Sequence, residues 1–218
     1  MQLHEVVDSI IKKLDQGCHS VGFVSPSHYI PHVKAIIELL RLSGYNPVFV
    51  YNTNGYDKVE EIRELESYID IYLPDYKYSD NSLALKFSKV ADYQRVAYAA
   101  IKEMFRQKGS TLVMNENGYA EKGLIIRHLV LPGHIDNSIN VLHQIADISS
   151  SIAISLMAQY WPTPAVQKHP ALGRTLSSEE YETAKAELEN IGIYKGWVQD
   201  IESSDHYLPD FELDKPFS

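Results

Sequence analysis

Five short polar segments stand where chemistry would collect: Ser25-Pro26-Ser27-His28, Asn52-Thr53-Asn54-Gly55, Asp75-Tyr76-Lys77, the run 127–133 that opens with Arg127, and Gln159-Tyr160. Each is polar where the residues before it are apolar. Taken singly they are ordinary, since Asn-Thr-Asn-Gly makes a good turn and Asp-x-Lys an ordinary surface pair. Taken together they offer a carboxylate, cations, carboxamides and hydroxyls, a set that suits a zwitterion joined to a ribose. Other chemistries lack their parts. There is no glycine-rich pyrophosphate loop, no Gly-x-Ser-x-Gly elbow and no His-Glu-x-x-His pair.

Positioning such segments on one edge requires strands that end together. Residues 3–14 carry apolar side chains at helical spacing and Gly17 follows as a stop, so the chain opens on an amphipathic helix. Residues 21–24 form a short apolar strand. A helix follows, with Pro31 at its start and Gly44 at its end. The unit repeats: residues 48–51 are a strand, Asp57 and Glu60 are spaced as a capping box for the next helix, and 69–73 are a third strand. Helical spacing returns between 80 and 109, and Asn115-Glu116-Asn117-Gly118 supplies the turn of a hairpin over 111–123. Strands over 124–131 and 152–157 flank a helix over 138–147. Ser177 and Glu180 box a last helix, and 197–199 form a short closing strand. Apolar strands bounded by helices predict an α/β fold with a parallel sheet, whose strand C-termini share one edge. One domain over 1–200 and an extended polar tail over 201–218 account for the chain.

The 218 residues are 44% hydrophobic, enough for a sizeable core, and carry a formal net charge of -9. That charge excludes a nucleic-acid footprint, which needs clustered Lys and Arg. No apolar run reaches the ~20 residues of a membrane span, so the chain reads as soluble and cytoplasmic. A single cysteine, Cys18, excludes an intrachain disulfide and any thiolate-only metal site, so no metal ligands are assigned.

Three blocks in the same order, Asn52-Thr53-Asn54-Gly55-Tyr56, Asp75-Tyr76-Lys77 and Arg127-His128-Leu129-Val130-Leu131-Pro132-Gly133, resemble the Thr-Asn-Gly, Asp-x-Lys and Arg-x-x-Val-x-Pro-Gly blocks of glycyl-radical-enzyme activases. Residues 24–29, 71–77 and 156–160 are similar to an activating-enzyme-like subgroup of the radical S-adenosylmethionine proteins, and the match covers roughly residues 1–200. The resemblance implies a partial (βα)6 barrel that binds S-adenosylmethionine and a [4Fe-4S] cluster and cleaves the former to a 5'-deoxyadenosyl radical. Pro26, Ser27 and His28 replace the usual Gly-Gly-Glu, and Asn52 stands where activases often carry Asp. Asp75 and Lys77 would face the methionine end and Arg127 would lie near the cofactor. Thr53, Asn54 and Gln159 complete the implied binding set.

The departure from the family is at the front. Its Cys-x-x-x-Cys-x-x-Cys loop and the strand before it have no counterpart here, so the sequence reads as cut off ahead of its first helix, with no catalytic residue of its own. Two readings follow. The chain is part of an enzyme whose full-length parent generates a radical, with a glycyl radical enzyme as partner, or it is a cluster-free module that holds an adenosyl ligand or a protein without redox chemistry. A sugar-phosphate barrel is disfavoured, because the last strand ends lack a glycine-rich phosphate loop. Loss of the first strand leaves residues 21–24 unpaired on one side, which predicts that the open barrel edge is covered, by a second copy in a homodimer or else by the opening helix or the polar tail folded over it.

Overall fold

The computed structural model describes residues 2–201; most of the tail assigned to 201–218 lies outside them. The parallel strands are β1 (Ser20–Val24), β2 (Val48–Thr53), β3 (Ile71–Pro74), β5 (Ala120–Leu129), β6 (Ala153–Met157) and β7 (Gly196–Val198), in the order β1-β2-β3-β5-β6-β7. The short β4 (Val113–Met114) pairs antiparallel with β5 and forms the expected hairpin, whose second arm runs without a break into the fourth predicted strand.

The helices are α1 (Leu3–Leu14), α2 (Ile30–Leu42), α3 (Val59–Glu64), α4 (Asn81–Ser88), α5 (Tyr93–Lys108), α6 (Ile135–Ile148) and α7 (Ser178–Asn190). The helical stretch expected between 80 and 109 is two helices, because Lys89 adopts a left-handed conformation (φ 59°) that ends α4. The fold is therefore α/β, a largely parallel seven-stranded sheet of the partial-barrel type. Among the described residues no helix is long and apolar enough to cross a membrane.

The pleat gives the sheet two unlike faces. Phe49, Tyr51, Tyr72, Leu124, Ile126 and Leu156 point one way and join the helices' Val33, Ile37, Leu40, Ile62, Ile101, Val141 and Ile145 in a single buried core. The opposite face carries Val50, Leu73, Leu129 and Met157, which are half-buried and stand outside that core. Asn52, Asp75 and Arg127 share the pleat of this second face. Helices on one face leave the other open, as in a barrel whose interior is not closed.

Candidate functional site

The site is built where β2, β3, β5 and β6 end. Asp75 and Arg127 sit side by side across an isolated parallel bridge, and the Asp75 Oδ1 to Arg127 Nη2 distance is 2.7 Å. The same Arg127 Nη2 donates to Asn52 Oδ1 at 2.6 Å, while Lys77 Nζ lies 3.5 Å from Asp75 Oδ2. Gln159, just past β6, accepts from Gln199 Nε2 at 3.0 Å. Together with Tyr78, Leu129, Leu131 and Met157, the residues Asp75, Lys77, Arg127 and Gln159 line a cavity of about 360 Å³. Its size is that of a small-molecule site, and its lining mixes the charged Asp75, Lys77 and Arg127 with the apolar Leu129, Leu131 and Met157.

Two polar atoms of this cluster are buried without a hydrogen-bond partner. Asp75 Oδ1 is close enough to Arg127 for ionic attraction but not aligned as a hydrogen bond, and Arg127 Nε has no acceptor. Buried polar groups in native proteins are nearly all satisfied, so an unmatched acceptor beside an unmatched donor at a cavity is a place where a ligand can complete the pairing.

The backbone beneath the cluster is fixed by two residues, Tyr93 and Asp57, that sequence reasoning did not assign to the site. The Tyr93 hydroxyl accepts from Lys77 N at 3.1 Å and is shared between the carbonyls of Asn54 and Asp75 at 2.9 and 3.0 Å. Burial holds its phenol far above the usual range. Asp57 does not cap α3, as its spacing to Glu60 suggested; the residue before α3 is Lys58 and makes no side-chain cap. Asp57 is instead buried, and its carboxylate accepts from Ser27 Oγ at 2.6 Å, Tyr51 Oη at 2.9 Å and Thr53 Oγ1 at 2.5 Å. The turn between them needs Gly55: its φ is +81°, and a Cβ there would stand 2.2 Å from the Asp75 carbonyl oxygen. No sequence signal distinguished Asp57 from a cap. The Thr53-to-Asp57 spacing is legible only once a turn brings position 57 back under β2.

The predicted site residues therefore divide. Asn52, Asp75, Lys77, Arg127 and Gln159 gather at the rim. Thr53 lies on the helix-covered face, is 1% exposed and is committed to Asp57, so it cannot contact a ligand at the rim. Ser27 is likewise committed to Asp57. The exposed Asn54 uses its side-chain oxygen to accept from Tyr56 N at 2.9 Å. His28 is exposed at the end of a 3-10 turn (Pro26–His28) and makes no hydrogen bond to the described residues.

Two further polar pairings hold the rim from behind. His128, fully buried, donates from Nδ1 to the Tyr76 carbonyl at 2.7 Å, so its Nε2 accepts from Ser138 Oγ at 2.8 Å. Burial pushes the imidazole down to about 4, and it is neutral at ordinary pH. Glu180, in the capping box expected with Ser177, also accepts from Gly133 N at 2.6 Å and so ties the loop after β5 to α7. Hydrogen bonding to Arg174, helped by the Gly133 and Ser177 amides, holds its carboxyl near 2.

Of the comparisons with known proteins, the one with solved structures speaks to the fold. No family model matches the chain. An uncharacterized protein of Methanocaldococcus jannaschii is 30% identical over 176 residues, which is 80% of this chain. The chain spans about half the length of that curated relative, 47%. Among solved structures, a domain of pyruvate-formate lyase-activating enzyme from Bacteroides vulgatus superposes with a TM-score of 0.58 at 16% identity, over 83% of this chain and 98% of that one. The fold is thus that of an activating-enzyme domain.

Proposed function

We propose that this chain is the cofactor-binding part of a radical S-adenosylmethionine protein of the activating-enzyme kind, with the rim of Asn52, Asp75, Lys77, Arg127 and Gln159 receiving S-adenosylmethionine. The observation that carries the reading is the unmatched pair of Asp75 Oδ1 and Arg127 Nε beside the 360 Å³ cavity. An amino acid's ammonium suits the former and a carboxylate or ribose oxygen the latter. Lys77 adds a second, half-exposed cation to the lining, and Leu129 and Met157 offer apolar surface to a base or a thioether. Support also comes from the shared fold and from the order of the three sequence blocks.

A [4Fe-4S] cluster does not fit the residues of this chain. Such a cluster needs about three or four thiolates. The sequence has one cysteine, exposed Cys18, and among the described residues no group of three His, Cys, Asp or Glu could hold a metal. In the parent we envisage, the cluster ligands come from a segment outside this chain, reductive cleavage of S-adenosylmethionine there supplies a 5'-deoxyadenosyl radical, and a glycyl radical enzyme is the partner. The single cysteine also favours a second reading, a cluster-free module that binds an adenosyl ligand without redox chemistry.

Calorimetry on the chain with S-adenosylmethionine and S-adenosylhomocysteine tests the rim. Binding is expected, and Asp75→Asn or Arg127→Gln should weaken it at least tenfold, about 1.4 kcal/mol. No binding of either compound overturns the assignment. Anaerobic supply of iron and sulfide is expected to leave no stoichiometric cluster, and 5'-deoxyadenosine formation by this chain alone would contradict the account.

A further inference from the structure

The segments of chain that follow β3, β5 and β6 supply the cavity wall, through Tyr78, Leu131 and Gln159 respectively. The same three segments meet again at one aromatic side chain. Phe87 of α4 stands roughly perpendicular to His134, the residue before α6, with ring centroids 5.2 Å apart, and to His169, in the loop between β6 and α7, at 5.8 Å. Short links join this junction to the wall. Ser88, next to Phe87, hydrogen-bonds the Tyr78 hydroxyl at 2.8 Å, His134 N donates to the Leu131 carbonyl at 3.2 Å, and Tyr160, next to Gln159, donates from its hydroxyl to the Leu172 carbonyl at 2.8 Å. The loop also packs against the chain just ahead of His134, where a Cβ on Gly133 would stand 2.5 Å from Ala171 Cβ.

Neither histidine is placed to carry a second proton. His169 Nδ1 accepts from the amides of Ala171 and Leu172 at 3.3 and 3.0 Å, so the proton of the neutral ring sits on Nε2. A further proton has only Nδ1 to go to, and both amides would then lose their acceptor. His134 Nε2 is buried without a hydrogen-bond partner, so an imidazolium, whose two nitrogens both donate, would leave a charged N–H unmatched there. The charged and titratable groups facing His134 are Lys86 from α4, His169 from the loop and Glu180 from α7, the last already paired with Arg174. Lys86 also holds its Nζ 4.8 Å from the centre of the Phe87 ring. Burial first, then Lys86 and His169, hold the His134 imidazole below its ordinary 6.5 against the opposing pull of Glu180.

We propose that this junction is a pH-operated latch on the cavity wall: with both imidazoles neutral, Phe87 stays seated between them and the wall is closed, while protonation frees the loop around 169–172 and the end of α4. The sign follows from the geometry. Once in water, His134 binds a proton that the closed junction refuses, so acidification below the ordinary 6.5 favours the open state. Opening would reach the cavity through Tyr78 on one side and Tyr160 with Gln159 on the other, the residues that the junction holds. The latch deepens the reading of the rim by giving that site a means of release. Its test uses no ligand, so a rim that bound nothing would leave it standing.

Amide exchange followed by NMR at about pH 7.5 and about pH 5, expressed as protection relative to an unstructured chain at the same pH, reads the loop directly. Protection of Ala171 and Leu172 should fall about tenfold or more on acidification. In His169→Asn a carboxamide oxygen can accept from the same two amides, in the manner of an Asx turn, and takes up no proton. Loop protection should then hold across the range, while the amides of β6 respond alike in both chains. Phe87→Leu unseats the junction and should give the acid level of loop protection already at neutral pH. Nitrogen chemical shifts should place the proton of neutral His169 on Nε2. The proposal is overturned by loop protection that does not change with pH in the unaltered chain, or by an equal fall in His169→Asn. Full loop protection at neutral pH in Phe87→Leu, or a proton on Nδ1 of neutral His169, would overturn it as well.

Discussion

The two faces of the sheet treat buried polar groups in opposite ways. On the helix-covered face, Asp57 collects three hydroxyl donors, and His128 has a partner for each ring nitrogen. At the rim, a few residues along the same strands, Asp75 Oδ1 and Arg127 Nε are left without hydrogen bonds. β5 alternates between the two states in consecutive residues, Arg127 toward the open face and His128 toward the core. Buried side-chain atoms without a hydrogen bond gather in the segments that follow the strands, with His134 Nε2 at the start of α6 as a third. Complete satisfaction marks the part that sets the shape of that rim.

The sharpest way to break the comparison is to empty the satisfied side. Asp57→Ala leaves the hydroxyls of Ser27, Tyr51 and Thr53 without their shared acceptor. It should cost about 4 kcal/mol in urea unfolding, since orphaned buried partners carry the full desolvation penalty. A loss below about 1 kcal/mol would show that the cluster is not a structural hub.

The next effect is set by pH. The folded state holds His128 near 4, below its ordinary 6.5, so the unfolded chain binds the extra proton first as pH falls. Stability is therefore full above pH 6.5 and declines toward pH 4, by up to roughly 3 kcal/mol. Glu180, held near 2 against an ordinary 4.5, extends the loss below that range by the same sign. Thermal midpoints across pH 4 to 7 for the parent and for His128→Gln check this, the variant being expected to show the flatter profile.

The smallest effect on stability belongs to the open side. Arg127→Gln removes a part-buried side chain whose Nε has no acceptor but whose Nη2 pairs with Asp75 and Asn52, and should cost about 1–2 kcal/mol of unfolding free energy, less than Asp57→Ala. The same substitution is expected to abolish or weaken adenosyl-ligand binding. If it instead cost as much stability as Asp57→Ala, the distinction between the two faces would fail.

Helical and strand periodicity in the sequence sufficed for most of the element order, because a strand buried on one or both faces and a helix buried along a stripe leave different spacings of apolar residues. It was enough to place Asn52, Asp75, Lys77, Arg127 and Gln159 after apolar runs, hence on one edge, since parallel connections of one hand leave no other choice. Spacing could not say which way a polar residue points once the strand ends. Thr53 is one residue from Asn52, yet the pleat turns it to the opposite face, where it meets Asp57. Asp57 itself has the local signature of a cap, and only the fold, by bringing Ser27 from a loop 30 positions away and Tyr51 from β2, makes it a buried hub. Local energetics are written in neighbouring residues and are legible there. The partners of a buried carboxylate come from distant parts of the chain, so the tertiary structure alone decides between a helix cap and a buried support beneath the rim.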